Sequence, residues 1–547
     1  MMQMPSISRD DCVRLVQAAR AEGVARGERA MTFAVPVALT LIADQLTPVL
    51  AYRRLVTEDE RTAPSFLLES VEGGERQGRY SILGAQPRTL VTAFADQVTV
   101  RRMVEGSERA IHSTVANPLE VLREVTGRTR LIGADAASLR MYGLPECVLG
   151  GWLGYAGYDS VRYVEPEKLG FSAAPKDDRR LPDLCFGFYD GVVVFDHVGK
   201  TVILVQLAMV APGEDAGAAY ERAVEVLRER AEQIEEHTDP LRSGVLSPQK
   251  RPAAELKSNL TKQQHADMVA KAKEYIRAGD IFQVVLGQRF ERVSAVDPFD
   301  VYRALRTVNP SPYMVYMQCE GCILVGSSPE ILCRVRVGPD GSKTVTNRPL
   351  AGTRRRGETR ERDLQLEQEL LADAKERAEH IMLVDLGRND VGVVSEPGSI
   401  TLPSVMEVER YSHVMHISST VTGSLREGLD CFDALRAALP VGTISGAPKI
   451  RAMQVIDELE PIRRGPYGGG MGYVGLDGSM DIALTLRTIV TPTTLWRDDQ
   501  WTYHLQASGG IVADSVVEDE YQETVNKSAA LARAIDVAEA AFLNRAD

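Results

Sequence analysis

The chain of 547 residues is 44% hydrophobic and 25% charged, the balance of a globular enzyme with enough length to bury a large core in two or three domains. Its net charge of −13 argues against a nucleic-acid backbone or an anionic membrane surface as the main partner, while leaving room for a small anionic ligand that answers to local charge. Seven cysteines, an odd count, argue against a disulfide framework and for a reducing cytoplasm.

Residues 1–30 read as a polar leader with one short helix over 9–21. The apolar stretch 35–50 is broken by Pro36, Asp44 and Pro48, so it is neither a signal peptide nor a membrane span. Residues 65–70 (SFLLES) read as a strand leading into a turn at 72–75. The small and aromatic run 150–157 (GGWLGYAG) marks close backbone packing. Two paired strands are expected over 186–195 and 201–210, and a helix over 216–236. The polar, proline-bearing stretch 237–258 is the best domain boundary. After it Thr261 and Gln264 fit a capping box, Met268, Ala272, Tyr275 and Ile276 recur at helical spacing, and Gly279 ends the helix. A strand follows over 281–290, then a hairpin of 313–318 and 322–326. Its Cys319 and Cys322 form a C-x-x-C with no second pair to complete a metal site, so they read as hairpin cysteines.

Residues 375–392 (KERAEHIMLVDLGRNDVG) predict a helix whose second half is buried, because Ile381, Met382, Leu383, Val384 and Leu386 surround it. Glu376 and Glu379 share one face a turn earlier. Buried like charges cost several kcal/mol each when unpaired. On this helix alone, salt bridges to Lys375, Arg377 or Arg388 are the simpler resolution and a divalent cation the other. Near the C-terminus Glu520 and Glu523 repeat the spacing ahead of an apolar helix over 529–543. Carboxylates without a Cys or His set suit Mg²⁺. The run 470–475 (GMGYVG) matches a dinucleotide fingerprint but opens no helix, and a long strand-like run, 480–490, follows it. The segment 442–449 (GTISGAPK) lacks phosphate-loop spacing and leads into a helix near Pro448. Ala507 to Gly510 (ASGG) offers glycine-rich backbone, and Arg487, on the strand after the glycine cluster, is a partner for a carboxylate.

Taken together, 326–330 (GSSPE), 349–354 (PLAGTR), 379–385 (EHIMLVD), 388–390 (RND), 440–449 (PVGTISGAPK) and 520–527 (EYQETVNK) resemble the chorismate-utilising enzymes of the anthranilate synthase component I type. The similarity is dense in the second half of the chain and thinner in the first. It implies an α+β fold of large antiparallel β-sheets packed between helical layers, with the leader (1–30), an N-terminal region (31–245) and a chorismate-binding catalytic domain (256–547). It implies that chorismate is aminated at C2 with loss of the C4 hydroxyl, and that pyruvate elimination then gives anthranilate for tryptophan biosynthesis.

By the same resemblance Glu379 and Glu523 bind Mg²⁺, with Glu376 and Glu520 close by. Gly352, Thr353, Tyr467, Arg487, Ser508, Gly509 and Gly510 match chorismate contacts. Glu330 matches the general acid for the departing hydroxyl, a role for which burial should raise its pKa. His416 matches the histidine of pyruvate elimination. Gln283, Ala351 and Thr443 are of the anthranilate type. Lysine at the first would activate water, and lysine at the second would form a covalent adduct. No cysteine sits in a G-x-C-x-G turn, so ammonia is expected from a separate glutamine amidotransferase subunit (component II) in a hetero-oligomer. Ser70, Pro312, Tyr313 and Met314 resemble the contacts of a tryptophan feedback site between the two halves of the chain. The alternatives are another chorismate aminase, making 2-amino-2-deoxyisochorismate or 4-amino-4-deoxychorismate, or a non-catalytic subunit that binds tryptophan or the glutaminase. The four glutamates and His416 speak against the last.

Overall fold

Runs such as Val192 to Phe195 are apolar at every position, and the reason is burial on both faces. Val193 and Phe195 point into one core and Val192 and Val194 into another, as the period-2 alternation of a strand requires. The computed structural model describes residues 4–26, 31–42, 44–56, 61–72, 76–104, 107–235, 241–246, 255–411, 414–440 and 442–543. Parts of the expected turn at 72–75 and of the boundary at 237–258 lie outside them.

Among the described residues the strands form two large sheets, of 13 and 12 strands, each a path of neighbours with one strand paired off it, Gly446–Ala447 in the first and Thr401–Arg410 in the second. Neighbours run antiparallel, apart from Thr32–Ile42 beside Thr129–Leu131. The first sheet runs Lys257–Ser258, Gln283–Ser294, Trp501–Ile511, Thr488–Pro492, Cys322–Ser328, Tyr313–Cys319, then Ser65–Glu69, Tyr80–Ala85, Gly191–Asp196, Thr201–Val210, Thr32–Ile42 and Thr129–Leu131. The second runs Leu350–Arg355, Val414–Ser424, Lys343–Arg348, Ile331–Val337, Met480–Leu484, Gly470–Gly475, then Gly151–Ala156, Leu184–Tyr189, Thr89–Phe94, Gln97–Val104 and Ser107–Thr114. Each sheet is therefore built half from the N-terminal and half from the C-terminal region. The joins are Ser65–Glu69 against Tyr313–Cys319 and Gly151–Ala156 against Gly470–Gly475. At the second join Gly472 takes φ +155°, and a Cβ there would stand 2.1 Å from the Asp481 carbonyl. The glycines of 470–475 thus serve sheet packing.

Helices close both outer faces. Ala216–Glu235, Pro298–Val308 and Val517–Ala538 cover the first sheet, and Leu119–Gly127, Ala374–Val394 and Cys431–Ala438 cover the second. The N-terminal helix runs to Arg26, beyond the expected end, and the Tyr220 hydroxyl donates to the Ile7 carbonyl at 2.9 Å ahead of it. Thr261 and Gln264 form the reciprocal capping box, and Gly279 closes that helix at φ +81°. Cys319 and Cys322 pair in register across their turn, and all seven cysteines are unbridged. No helix among the described residues is long and apolar enough to cross a membrane.

Two expected strands are each a pair. The run 186–195 divides at Asp190, with Leu184–Tyr189 in the second sheet and Gly191–Asp196 in the first. The run 480–490 divides likewise into Met480–Leu484 and Thr488–Pro492, one strand per sheet. Arg487 lies on the crossing between them, at φ +46°, and not within a strand. Both partners of such a pair are largely buried, and a charged residue at each crossing, Asp190 and Arg487, marks the seam.

Candidate active site

The helix Ala374–Val394 starts at Asp373, whose carboxylate accepts from the amides of Lys375 and Glu376. Its second half is buried on one face only. Leu383, Val384, Gly387, Val391 and Val394 face the second sheet, whereas Ile381 is 51% exposed. The expectation of all-round burial fails because Asp385, Arg388 and Asn389 hold the other face in solvent. Glu376 does form a salt bridge, but to Arg354 at 3.2 Å rather than to a residue of its own helix, and Arg388 pairs with Asp385 at 3.0 Å. Glu379 instead accepts a hydrogen bond from Gln283 Nε2 at 3.1 Å.

The second pair stands in the first turns of Val517–Ala538, a helix that begins twelve residues before the expected 529. Glu520 is buried and its Oε2 has no hydrogen-bond partner. Lys527 lies 2.7 Å from Glu523 and donates to the Ser508 carbonyl at 2.9 Å. The strand Trp501–Ile511 runs between the two helices. A Cβ on Gly509 would stand 3.0 Å from Glu520 Oε2 and 3.6 Å from Glu523 Oε2, and one on Gly510 would stand 3.5 Å from Glu379 Oε1. A Cβ on Gly352, at φ +64°, would stand 3.3 Å from Glu376 Oε2. Only glycine leaves this cradle open. Burial and the neighbouring carboxylates push Glu379 and Glu520 above the usual carboxylate range. Among the described residues no three His, Cys, Asp or Glu side chains enclose a metal ion by themselves. An oxygen-only, incompletely compensated set fits a cation that keeps waters and takes further oxygens from a ligand.

Opposite the carboxylates lies an acid, a cation and an imidazole. Glu330 occupies the crossing from Cys322–Ser328 in the first sheet to Ile331–Val337 in the second. It is 2% exposed, accepts from the Thr443 hydroxyl at 2.9 Å, and is raised to about 8 by burial. His416, on Val414–Ser424, has Nδ1 2.9 Å from the Gly352 carbonyl and 3.1 Å from Thr353 Oγ1. Arg487 Nη2 donates to His416 Nε2 at 3.1 Å, so Nε2 is the lone-pair nitrogen and Nδ1 carries the proton. Burial and the Arg487 charge depress His416 to about 3, which leaves it neutral. Arg487 is itself lowered by burial. The Tyr467 and Ser508 hydroxyls share a hydrogen bond of 2.6 Å.

The structure therefore brings Glu330, Gly352, Thr353, Glu376, Glu379, His416, Thr443, Tyr467, Arg487, Ser508, Gly509, Gly510, Glu520 and Glu523 around one region. The residues of the expected tryptophan site lie elsewhere, at the join of the first sheet. Met314 pairs with Glu69 in register, and the Val71 amide donates to the Ser311 carbonyl at 3.1 Å. Tyr313 reaches across to Asp481 of the second sheet at 2.7 Å. Sequence reasoning assigned no role to Lys527, although its position four residues after Glu523 is readable as a helix pair. It also missed the buried Arg464–Glu460 pair behind Thr443, because the run 456–465 (IDELEPIRRG) holds three acids and two arginines and its spacing does not single out this pair.

Comparison with known proteins agrees with this geometry. The model of the chorismate binding enzyme family matches residues 63–533. The chain is 52% identical over 527 residues to anthranilate synthase alpha subunit 1, chloroplastic, of Oryza sativa subsp. japonica, spanning 93% of this chain and 89% of that protein. It is 43% identical over 507 residues to anthranilate synthase component 1 of Acetivibrio thermocellus, spanning 92% and 96%. The crystal structure of anthranilate synthase component I from Streptococcus pneumoniae superposes with a TM-score of 0.65 at 32% identity, covering 90% of this chain and 99% of that one. The menaquinone-specific isochorismate synthase of Escherichia coli, 19% identical with a TM-score of 0.64 over 95% and 99% of the two chains, shares the fold. The chain belongs to the chorismate-binding enzyme family, among its anthranilate synthase component I members.

Proposed function

We propose that this chain is the large subunit of an anthranilate synthase, converting chorismate and ammonia to anthranilate and pyruvate in tryptophan biosynthesis. One observation carries the reading: a buried acid, Glu330, lies near a guanidinium that donates to a lone-pair imidazole, and that imidazole adjoins a cradle of four glutamates through Gly352. Glu379 and Glu523 would hold Mg²⁺, with Glu376 and Glu520 behind them. When bound, the ion supplies positive charge that offsets these carboxylates and anchors the ring carboxylate of the substrate. Arg487 has planar donors suited to a second carboxylate. Thr443 donates to Glu330 Oε1, so the acidic proton resides on Oε2 and passes to the C4 hydroxyl as it leaves. His416 Nε2 takes the proton released from the aminated ring carbon as pyruvate departs. A substrate carboxylate on Arg487 neutralises the charge that depresses His416 and so raises its basicity. Gln283 is an amide that cannot activate water as a lysine would.

The names of the relatives, alpha subunit and component 1, belong to multi-subunit enzymes. The expected partner is a glutaminase subunit that delivers ammonia to this site. The expected compartment is the cytoplasm, on the strength of the unbridged cysteines. Tryptophan is the expected inhibitor at Ser70, Pro312, Tyr313 and Met314. The test is purified chain with chorismate, Mg²⁺ and ammonium at alkaline pH. Equimolar fluorescent anthranilate and pyruvate support the reading. Accumulation of an aminated intermediate, isochorismate, or no turnover overturns it.

A further inference from the structure

Thr443 sits on a single helical turn, Gly442–Ser445, which has too few internal hydrogen bonds to fix its own position. What holds it is a buried ion pair. Arg464 is 2% exposed and Glu460 is 4% exposed. Arg464 Nε and Nη2 donate to the two Glu460 oxygens at 2.9 and 2.6 Å. Arg464 Nη1 donates to the Ile444 carbonyl at 2.7 Å and Nη2 to the Val285 carbonyl at 2.6 Å. Glu460 Oε1 also accepts from the Gly287 amide at 2.9 Å, and the guanidinium lies over the Tyr158 ring at 4.7 Å.

The two carbonyls belong to the segments that carry site side chains. Ile444 follows Thr443, which holds Glu330. Val285 is two residues from Gln283, which holds Glu379. The two segments also meet just after the turn, where Gly446 and Ala447 pair with Val284 and Gln283 in register. A buried ion pair is weak evidence for stability, because apolar residues of equal volume often serve as well. Its worth here is geometric: a guanidinium can address two backbone carbonyls and a carboxylate at once in a fixed plane, and lysine cannot.

We propose that Arg464, held by Glu460, is a positioning residue that sets the Thr443 hydroxyl against Glu330 and the Gln283 amide against Glu379, and so governs turnover without touching substrate. The proposal rests on Glu330 acting as the acid.

Arg464→Lys tests it, with anthranilate formation measured at saturating Mg²⁺ and expressed per free ammonia. The expected result is a fall in kcat of about 30-fold or more with the KM for chorismate within about threefold, the size of effect that a sub-ångström misplacement gives. The alkaline limb of the kcat profile should move upward, because Glu330 loses the Thr443 hydrogen bond that lowers its pKa. Adding Thr443→Val to Arg464→Lys should cost less than about threefold more, since both act on one contact. Multiplicative losses, an unmoved alkaline limb, or a loss that only tracks the folded fraction overturn the proposal. If Arg464→Lys does not fold, the same readouts on Glu460→Gln decide, with a fall of about fivefold expected and an unchanged kcat overturning it. Failure of the Glu330 reading is separable, because Thr443→Val alone would then leave the alkaline limb of the wild-type profile unmoved.

Discussion

Glu330→Gln offers the sharpest test of the acid assignment, because it can be read without turnover. Burial raises Glu330 to about 8 in the folded chain, against an ordinary value of 4.5. Between those two values the unfolded chain has released this proton and the folded chain still holds it. Stability therefore falls as pH rises, by about 1.4 kcal/mol per pH unit. The stabilising contribution is complete below pH about 4.5 and is lost as pH climbs through about 8. Glutamine keeps the shape and is neutral at every pH. Between pH 5.5 and 7.5 the wild type should lose about 3 kcal/mol relative to Glu330→Gln, since every other group titrates alike in both proteins. Urea unfolding of the two proteins at both pH values measures this double difference. A difference that does not change with pH means that Glu330 is ionised in the folded protein, and an ionised carboxylate cannot protonate a leaving hydroxyl. The same variant should lose anthranilate formation by about 10²-fold or more.

Removing either proposed metal ligand, Glu379→Ala or Glu523→Ala, should lower turnover by more than about 100-fold. Retained activity with unchanged Mg²⁺ dependence in either would remove the metal assignment. Mg²⁺ should also raise the melting temperature of the wild type, and Glu379→Gln should lose that gain in a thermal-shift measurement. Arg487→Lys should raise the KM for chorismate about tenfold or more, as lysine replaces a bidentate donor with a point charge; an unchanged KM would take Arg487 out of the binding site. Tryptophan should inhibit the enzyme, and Ser70→Leu should relieve the inhibition while leaving uninhibited turnover within about twofold. Equal inhibition of both proteins would move the tryptophan site elsewhere.

What was readable in the sequence was local. The three-residue spacing of each glutamate pair and the capping box at Thr261 follow from helix geometry, and the structure contains them. What was not readable depends on which strand lies next to which. Arg354, the partner of Glu376, comes from the edge strand Leu350–Arg355 and has no periodic relation to the helix. Leu184 to Asp196 is two apolar runs that change sheet at Asp190, and the run around Arg487 does the same; a charged residue marks each break, but not which sheet takes each half. The motif resemblance supplied what periodicity could not, placing Glu330 and Arg487 in one site although they lie 157 residues apart in the chain.

Those sheet crossings explain why the chemistry sits where it does. A crossing between two sheets lies at the end of both and can turn an ionisable side chain inward. Glu330 and Arg487 occupy two such crossings on adjacent strands, Cys322–Ser328 beside Thr488–Pro492, and so meet at one end of the inter-sheet core. The carboxylates around them are then sorted by partner. Glu376 and Glu523 have cations as partners, Arg354 and Lys527. Glu330 has no cation paired to it and is kept an acid by burial, against the Thr443 hydroxyl, whose hydrogen bond lowers its pKa. Glu379 and Glu520 are shifted upward by burial and by neighbouring carboxylates, and a divalent cation would compensate that crowding. Burial thus singles out Glu330 among the carboxylates as a proton donor, which is the state that the proposed proton transfer beside a cation would need.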